Sequence, residues 1–318
     1  MRRTSVLVCL LWLLAADAFP IRHGGIVTGP IRKTPVPIVI WHGMGDTCCY
    51  SFSMGRIKAL IEQAVPGVYV HSLMIGESIE SDEYNGFFMN VNDQVALAAS
   101  KIAADPKLKD GFNAIGFSQG SQFLRAYVER YNSPPVRNLI SIGGQHQGVY
   151  GFPHCPGTNY KICEWVRNLL DYGAYVGFVQ RDLVQAEYWH DPLDEETYKK
   201  DCIFLPDINN EGQQKNQTYK ENLSSLDNFV MVTFLQDTMV QPIESERFEF
   251  YAPGQDKTIV PLKESPIYKE DWIGLKTLDE ANKLKFLEVE GDHLKFTEPW
   301  FLANIVGPYL NATAARIL

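Results

Sequence analysis

What most constrains the fold of this chain is a short apolar run, Phe112 to Ile115, that enters Gly116-Phe117-Ser118-Gln119-Gly120 and leaves as an amphipathic helix. Phe123, Leu124, Tyr127, Val128 and Tyr131 fall at i, i+1, i+4, i+5 and i+8, one face of a helix over Gln119 to Tyr131. Small residues at both ends of the pentapeptide permit a sharp strand-to-helix turn. Such a turn lifts the Ser118 hydroxyl above the sheet edge, with a helix N-terminus beneath it. Any glycine-rich turn can produce the pentapeptide, so its setting between a buried strand and an amphipathic helix is what gives it weight.

The rest of the chain continues the same alternation. Ile38 to Trp41 and Val68 to Leu73 read as strands with a Met54 to Ala64 helix between them, and Val91 to Ala104 as a helix ended by Asp105-Pro106. Leu139 to Ile142, Phe229 to Leu235 and Leu284 to Val289 read as further strands, and Trp300 to Val306 as a closing helix. Short apolar strands alternating with helices predict an α/β protein with a mostly parallel central sheet flanked by helices. The pattern breaks between about Gly148 and Leu226, where aromatics and cysteines gather without a clear strand. A helical and loop insertion before the strand at Phe229 is the economical reading. One domain over residues 19–318 follows, with its core at about 36–147 and 227–310 and the inserted region at about 148–226.

Composition narrows the function. Twenty-nine Lys and Arg against 38 Asp and Glu leave a net charge of -9, which repels polyanions and argues against nucleic-acid binding. Arg2 and Arg3, the apolar run Val6 to Leu14 and Ala16-Asp17-Ala18 make residues 1–18 a signal peptide. A signal anchor is the competing reading, and no later segment is apolar for long enough to span a membrane. Asn216, Asn222 and Asn311 open glycosylation triplets, in agreement with secretory entry. Five cysteines then remain in an oxidising compartment.

A serine nucleophile needs a base. In the α/β-hydrolase fold, whose nucleophile elbow the pentapeptide matches, the base comes last in the chain, after the acid. His293, in Glu290-Gly291-Asp292-His293, lies just past the last expected strand. His23, His71, His146, His154 and His190 stand at the wrong points of the topology. Asp237, two residues beyond the Phe229 to Leu235 strand, is the expected acid. Asp292 competes, but adjacent residues rarely aim their side chains at each other. The oxyanion hole requires two backbone N–H groups, expected from Gln119 and from Met44 in His42-Gly43-Met44-Gly45. His42 is expected to be structural. No metal or organic cofactor is expected, because no His and Cys cluster has ligand spacing.

Five stretches together carry a more specific resemblance: Val39-Ile40-Trp41-His42-Gly43-Met44-Gly45-Asp46, the Ser118 pentapeptide, Ile142-Gly143-Gly144-Gln145-His146-Gln147-Gly148, Leu183 to Pro192, and Glu290-Gly291-Asp292-His293-Leu294. They resemble the palmitoyl-protein thioesterase family over nearly the whole mature chain. The resemblance implies a lysosomal α/β-hydrolase, reached through the secretory pathway or also secreted, that removes long-chain fatty acyl groups from cysteine thioesters. Palmitoylated proteins or peptides and long-chain acyl thioesters such as palmitoyl-CoA are the implied substrates. It assigns the triad to Ser118, Asp237 and His293, the oxyanion donors to Met44 and Gln119, and an acyl groove to Ala174, Val184, Trp189 and Met239. From spacing alone, Val176, Val179, Leu183 and Ala186 form a helical stripe, which is usually core. The resemblance also implies a Cys48–Cys49 disulfide and a Cys155–Cys163 bridge around a Pro-Gly turn, leaving Cys202 unpaired. A lipase or esterase, or a lipid carrier without catalysis, are the other readings of the same fold.

Overall fold

The computed structural model describes residues 34–151, 166, 168–170 and 173–311. Residues 1–18, Cys155 and Cys163 lie outside the described residues.

Six strands form one parallel sheet: β1 (Ile38–Trp41), β2 (Val70–Ser72), β3 (Phe112–Phe117), β4 (Val136–Ile142), β5 (Asn228–Phe234) and β8 (Leu284–Val289), in the order β2-β1-β3-β4-β5-β8. The two short strands β6 (Phe250–Tyr251) and β7 (Ile259–Val260) pair antiparallel, apart from this sheet. The chain runs from β1 outward to β2 and then returns to the other side of β1 for β3. The β1/β3 pair is therefore the switch point of the sheet, and ligands of open α/β sheets bind outside the carboxyl ends of strands at such a point.

Both faces of the central strands are covered, and these strands show it in their period of two. Val39, Trp41, Ala114, Leu139 and Met231 point to one core, against Val95 and Ile102 of α3 (Val91–Ala104) and Phe123 and Tyr127 of α4 (Gln119–Arg130). Their neighbours Ile38, Ile40, Ile115, Ile140 and Val230 point to the other. There they meet Ile57 and Ile61 of α1 (Met54–Ala64) and Phe301 and Ile305 near the C-terminus. A strand buried on both faces reads as a continuous apolar run, which is why these strands are legible in the sequence.

The structure differs from the sequence reading in three places. A helix, α2 (Ile79–Phe88), follows β2 where no element is expected, because its buried residues are Asp82 and Gly86 rather than an apolar stripe. The C-terminal helix begins at Glu298 and continues as a π-helical run, Leu302–Leu310, around Pro308, whose missing N–H cannot join the regular ladder. The stripe from Val176 to Ala186 is broken at Leu183, between the helix Gly177–Asp182 and the 3-10 turn Val184–Tyr188. Val179, Leu183 and Ala186 nonetheless point inward, into a small core with Val166, Leu170 and Ala174.

Candidate active site

Ser118 sits between β3 and α4 with φ 52 and ψ -127, a left-handed conformation that a non-glycine residue adopts only when its surroundings impose it. The imposition comes from close packing of α4 on the ends of the strands. A Cβ on Gly120 would lie 2.5 Å from the carbonyl oxygens of both Trp41 and His42, so only glycine lets the helix start there. The Ser118 N–H donates to the Ile142 carbonyl at 2.8 Å, and the Ser121 hydroxyl donates to the Gly116 carbonyl at 2.7 Å. The Ser118 side chain is left half-buried at the switch point, above the first turn of α4. The leading N–H groups of a helix, that of Gln119 among them, have no intrahelical acceptor.

The loop after β1 approaches this serine from the side. A Cβ on Gly43 would come within 3.0 Å of Ser118 Cβ, and Met44 borders a small cavity together with Ser118. A residue from α2 holds that loop. Fully buried Asp82 meets His42 Nε2 through Oδ1 at 3.0 Å and accepts the Thr47 hydroxyl at 2.7 Å and the Cys48 N–H at 2.9 Å through Oδ2. Burial pushes the Asp82 carboxyl up, but His42 and the backbone donors more than reverse this and hold it below the ordinary value. Burial likewise lowers the His42 pKa, and Asp82 more than restores it, so the ring titrates above its usual range. His42 is thus structural, as expected. Cys48 and Cys49 form a disulfide immediately beyond. The Gln119 side chain donates to the Gly86 carbonyl at 2.9 Å and accepts from the Tyr188 hydroxyl at 3.1 Å, joining α2 and the inserted region above the elbow.

Asp237 and His293 come together from the ends of β5 and β8. Asp237 Oδ1 accepts the N–H groups of Met239 and Val240 at 2.6 and 2.8 Å, while Oδ2 bonds His293 Nδ1. Burial pushes the Asp237 carboxyl up, and the contact with His293 outweighs it, so the group lies below the usual carboxylate value. Asp292 does different work. Its Oδ1 accepts the Thr238 N–H and hydroxyl and the His293 backbone N–H, tying the two loops rather than the imidazole. The His293 ring lies over Gly143, where a Cβ would come within 3.1 Å of Cε1. His293 and Ser118 thus flank the same Ile142-Gly143 turn.

The other described histidines are occupied elsewhere. His146 is buried, stacked on Phe248 at 4.6 Å and bonded through Nε2 to the Ser141 hydroxyl at 2.8 Å, and burial drives its pKa well down. His71 pairs with Asp105, and His190 with Glu195.

Beside Ser118 a narrow cavity of about 40 Å³ is bordered by Met44, Gln185, Tyr188 and Met239. Gly151 and Leu170 are shared with a second cavity of about 690 Å³, on which Ala174, Tyr175, Val176 and Trp189 also border. Of the four residues expected in an acyl groove, Ala174 and Trp189 therefore face the large cavity and Met239 the narrow one. Val184 borders neither and is fully buried in the core around α3 and α4. Cys202 is unpaired and buried, its thiol pushed up to about 12 by burial and donating to the Glu187 carbonyl at 3.1 Å. Asn216 and Asn311 are exposed, whereas the Asn222 amide is half-buried and donates to the Glu129 carbonyl at 3.0 Å.

Two residues at the site carry no signal in the sequence. Asp82 lies in a helix without an apolar stripe, and buried Glu246 lies in a one-turn segment, Ile243–Arg247, beside Asp237.

Comparison with known proteins gives the family of the chain. The family model described as palmitoyl protein thioesterase matches residues 37–293. Palmitoyl-protein thioesterase 1 of Caenorhabditis elegans is 50% identical over 311 residues, 97% of this chain and 99% of that protein. Palmitoyl-protein thioesterase 3 of Dictyostelium discoideum is 39% identical over 86% of this chain and 92% of its own length. Lysosomal thioesterase PPT2 of Rattus norvegicus is 27% identical over 78% of each. With a tight strand-to-helix turn at the switch point of a parallel sheet and a family match across most of its length, this chain belongs to the palmitoyl protein thioesterase family of hydrolases.

Proposed function

We propose that this chain removes palmitate and similar long fatty acyl groups from cysteine thioesters through a covalent acyl-enzyme on Ser118. The observation that carries the reading is the Asp237–His293 pair beside the Ser118 elbow, whose narrow cavity shares Gly151 and Leu170 with the cavity of about 690 Å³. His293 takes the Ser118 proton as Oγ attacks the thioester carbonyl. Charge forming on the carbonyl oxygen is met by the Met44 and Gln119 N–H groups. The C–S bond then breaks and the thiolate takes the proton back from His293. Its parent pKa of about 8.5 makes it a better leaving group than an alkoxide. Water deprotonated by His293 attacks the acyl-enzyme, releasing the fatty acid and restoring the serine.

Under this reading Ala174 and Trp189 contact the distal part of the acyl chain and Met239 the part near the carbonyl. Residues 148–226 act as an insertion that builds the groove on a single hydrolase domain. Palmitoylated proteins or peptides would be the substrates. Passage through the secretory pathway to the lysosome is supported by the signal-like segment 1–18, the exposed Asn216, and the name of the rat relative. The test is mass spectrometry after brief exposure to palmitoyl-CoA. We expect an acyl adduct on Ser118 that is absent from S118A, and faster turnover of a palmitoyl thioester than of its oxygen ester. An adduct elsewhere, or preference for the oxygen ester, overturns the reading.

A further inference from the structure

Glu246 is a buried acid that the mechanism above does not use. Its Oε2 accepts the N–H of Phe234, the last residue of β5, at 2.8 Å, and its Oε1 is buried with no donor directed at it. Asp237, Glu246 and His293 each bring a polar atom to within 4.8 Å of the others. Two carboxyls this close, both out of water, disfavour double ionisation and favour one shared proton. Its place follows from the donors. Asp237 receives two backbone N–H groups and the His293 ring, which stabilise a charge, whereas Glu246 receives one backbone N–H.

Arg247 favours the charged form of Glu246, but less than burial and Asp237 oppose it. Arg247, next in sequence, pairs with Glu249 and Glu288. Asp292 is engaged with Thr238, and His146, whose backbone N–H donates to the Ser245 carbonyl, is kept neutral by burial. Consistent with this placement, burial and then the neighbouring Asp237 push the Glu246 carboxyl up to about 10.

We propose that Glu246 is a positioning residue of the triad: its carboxyl is protonated and donates a hydrogen bond to Asp237, holding that carboxylate toward His293 Nδ1 and keeping a second negative charge away from the imidazole. The inference rests on the assignment of Ser118, Asp237 and His293. A lone carboxylate facing the ring would favour imidazolium more strongly than one whose charge is shared with a donor. Glu246 therefore acts on the fraction of base available in acid as well as on geometry.

The test compares E246Q, E246L and D237N for palmitoyl-CoA hydrolysis from about pH 4.5 to about pH 8, with circular dichroism to verify folding. The amide introduced by E246Q can accept from the Phe234 N–H and donate to Asp237, so this variant should keep kcat to within about threefold. E246L can do neither; kcat should fall about tenfold with little change in KM, and the acidic limb of the profile should move to higher pH. At neutral pH the native-minus-E246Q infrared difference spectrum should also show the carbonyl band of one protonated carboxylic acid, beyond the bands of other buried acids such as Glu187 that both proteins share. That band does not depend on catalysis and so still reads the proton if E246L fails to fold. Equal loss in E246Q and E246L, absence of the band, or activity removed by a chelator and restored by a divalent cation overturns the inference. If D237N keeps full activity, the triad assignment falls and this inference with it. If D237N is inactive while folded E246L matches the native profile, only this inference falls.

Discussion

At the scale of single residues, two aspartates near His293 divide the work. Asp237 is buried, holds the ring through Nδ1 and is itself fixed by two backbone donors, whereas Asp292 holds backbone. Asp237→Asn should leave the fold intact and lower turnover by roughly four orders of magnitude, because an amide can favour the wrong imidazole tautomer. Asp292→Asn should cost far less, since it loosens the Thr238 loop without touching the ring. Steady-state rates on a palmitoyl thioester check the ranking, and the reverse order would move the acid to Asp292. Only the contact of Asp237 with His293 was legible in the sequence. The position of Asp237 after a strong strand pattern marks it, whereas what Asp292 binds depends on two loops meeting.

At the scale of elements, the organising contact is between α2 and the loop after β1. Asp82 lies 40 residues from His42 and 35 from Thr47 in the chain, yet it is the common acceptor of both. Replacing Asp82 with Asn leaves a buried His42 without its counter-charge and turns a donor toward other donors. Breaking a buried pair from one side costs about 3–5 kcal/mol. Asp82→Asn should therefore lower stability by an amount of that order in urea unfolding, and kcat should fall in the fraction that stays folded, because the Met44 N–H is no longer fixed. A variant of native stability and native kcat would mean that the loop holds its shape without α2. The sign of the pH effect is set by the same pair. The Asp82 contribution is present above about pH 3.9 and is lost as pH falls through its lowered folded value. The His42 contribution is complete below about pH 6.5 and is lost as pH rises through its raised folded value.

At the scale of the whole molecule, the buried acids set the pH range in which the fold is firmest. Burial raises Glu129 to about 7 even against Arg125, and raises Glu187 to about 9 and Glu246 to about 10; Glu211 is also raised. In the unfolded chain such groups release their protons near about pH 4.3. Between that value and each folded value the native state binds more protons, so stability falls as pH rises. His146, held well below its ordinary value, acts in the opposite sense as pH drops below about 6.5, but it is one group against four carboxyls and His42. The melting temperature should therefore be higher near about pH 5 than near about pH 7.5, as calorimetry can determine. A higher value at the alkaline end would show that these acids ionise inside the fold. A protein proposed to reside in an acidic lumen gains from this arrangement.

The sequence by itself determined whatever is written in local apolar order. The strands β1, β3 and β5 are near-continuous apolar runs, β8 keeps four apolar residues around Lys285 and Glu288, α1, α3 and α4 carry apolar faces, and the turn at Ser118 is spelled by neighbours that must touch. The chain order of serine, aspartate and histidine followed from that frame. Only the tertiary structure decided that α2 exists with a polar buried face, that Val184 belongs to the core rather than to a cavity, and that Glu246 stands beside Asp237. The physical reason is that apolar burial needs only a periodic pattern, which a single segment can show. A buried charge is tolerated only where partners from distant segments converge on it, and no segment records that convergence alone.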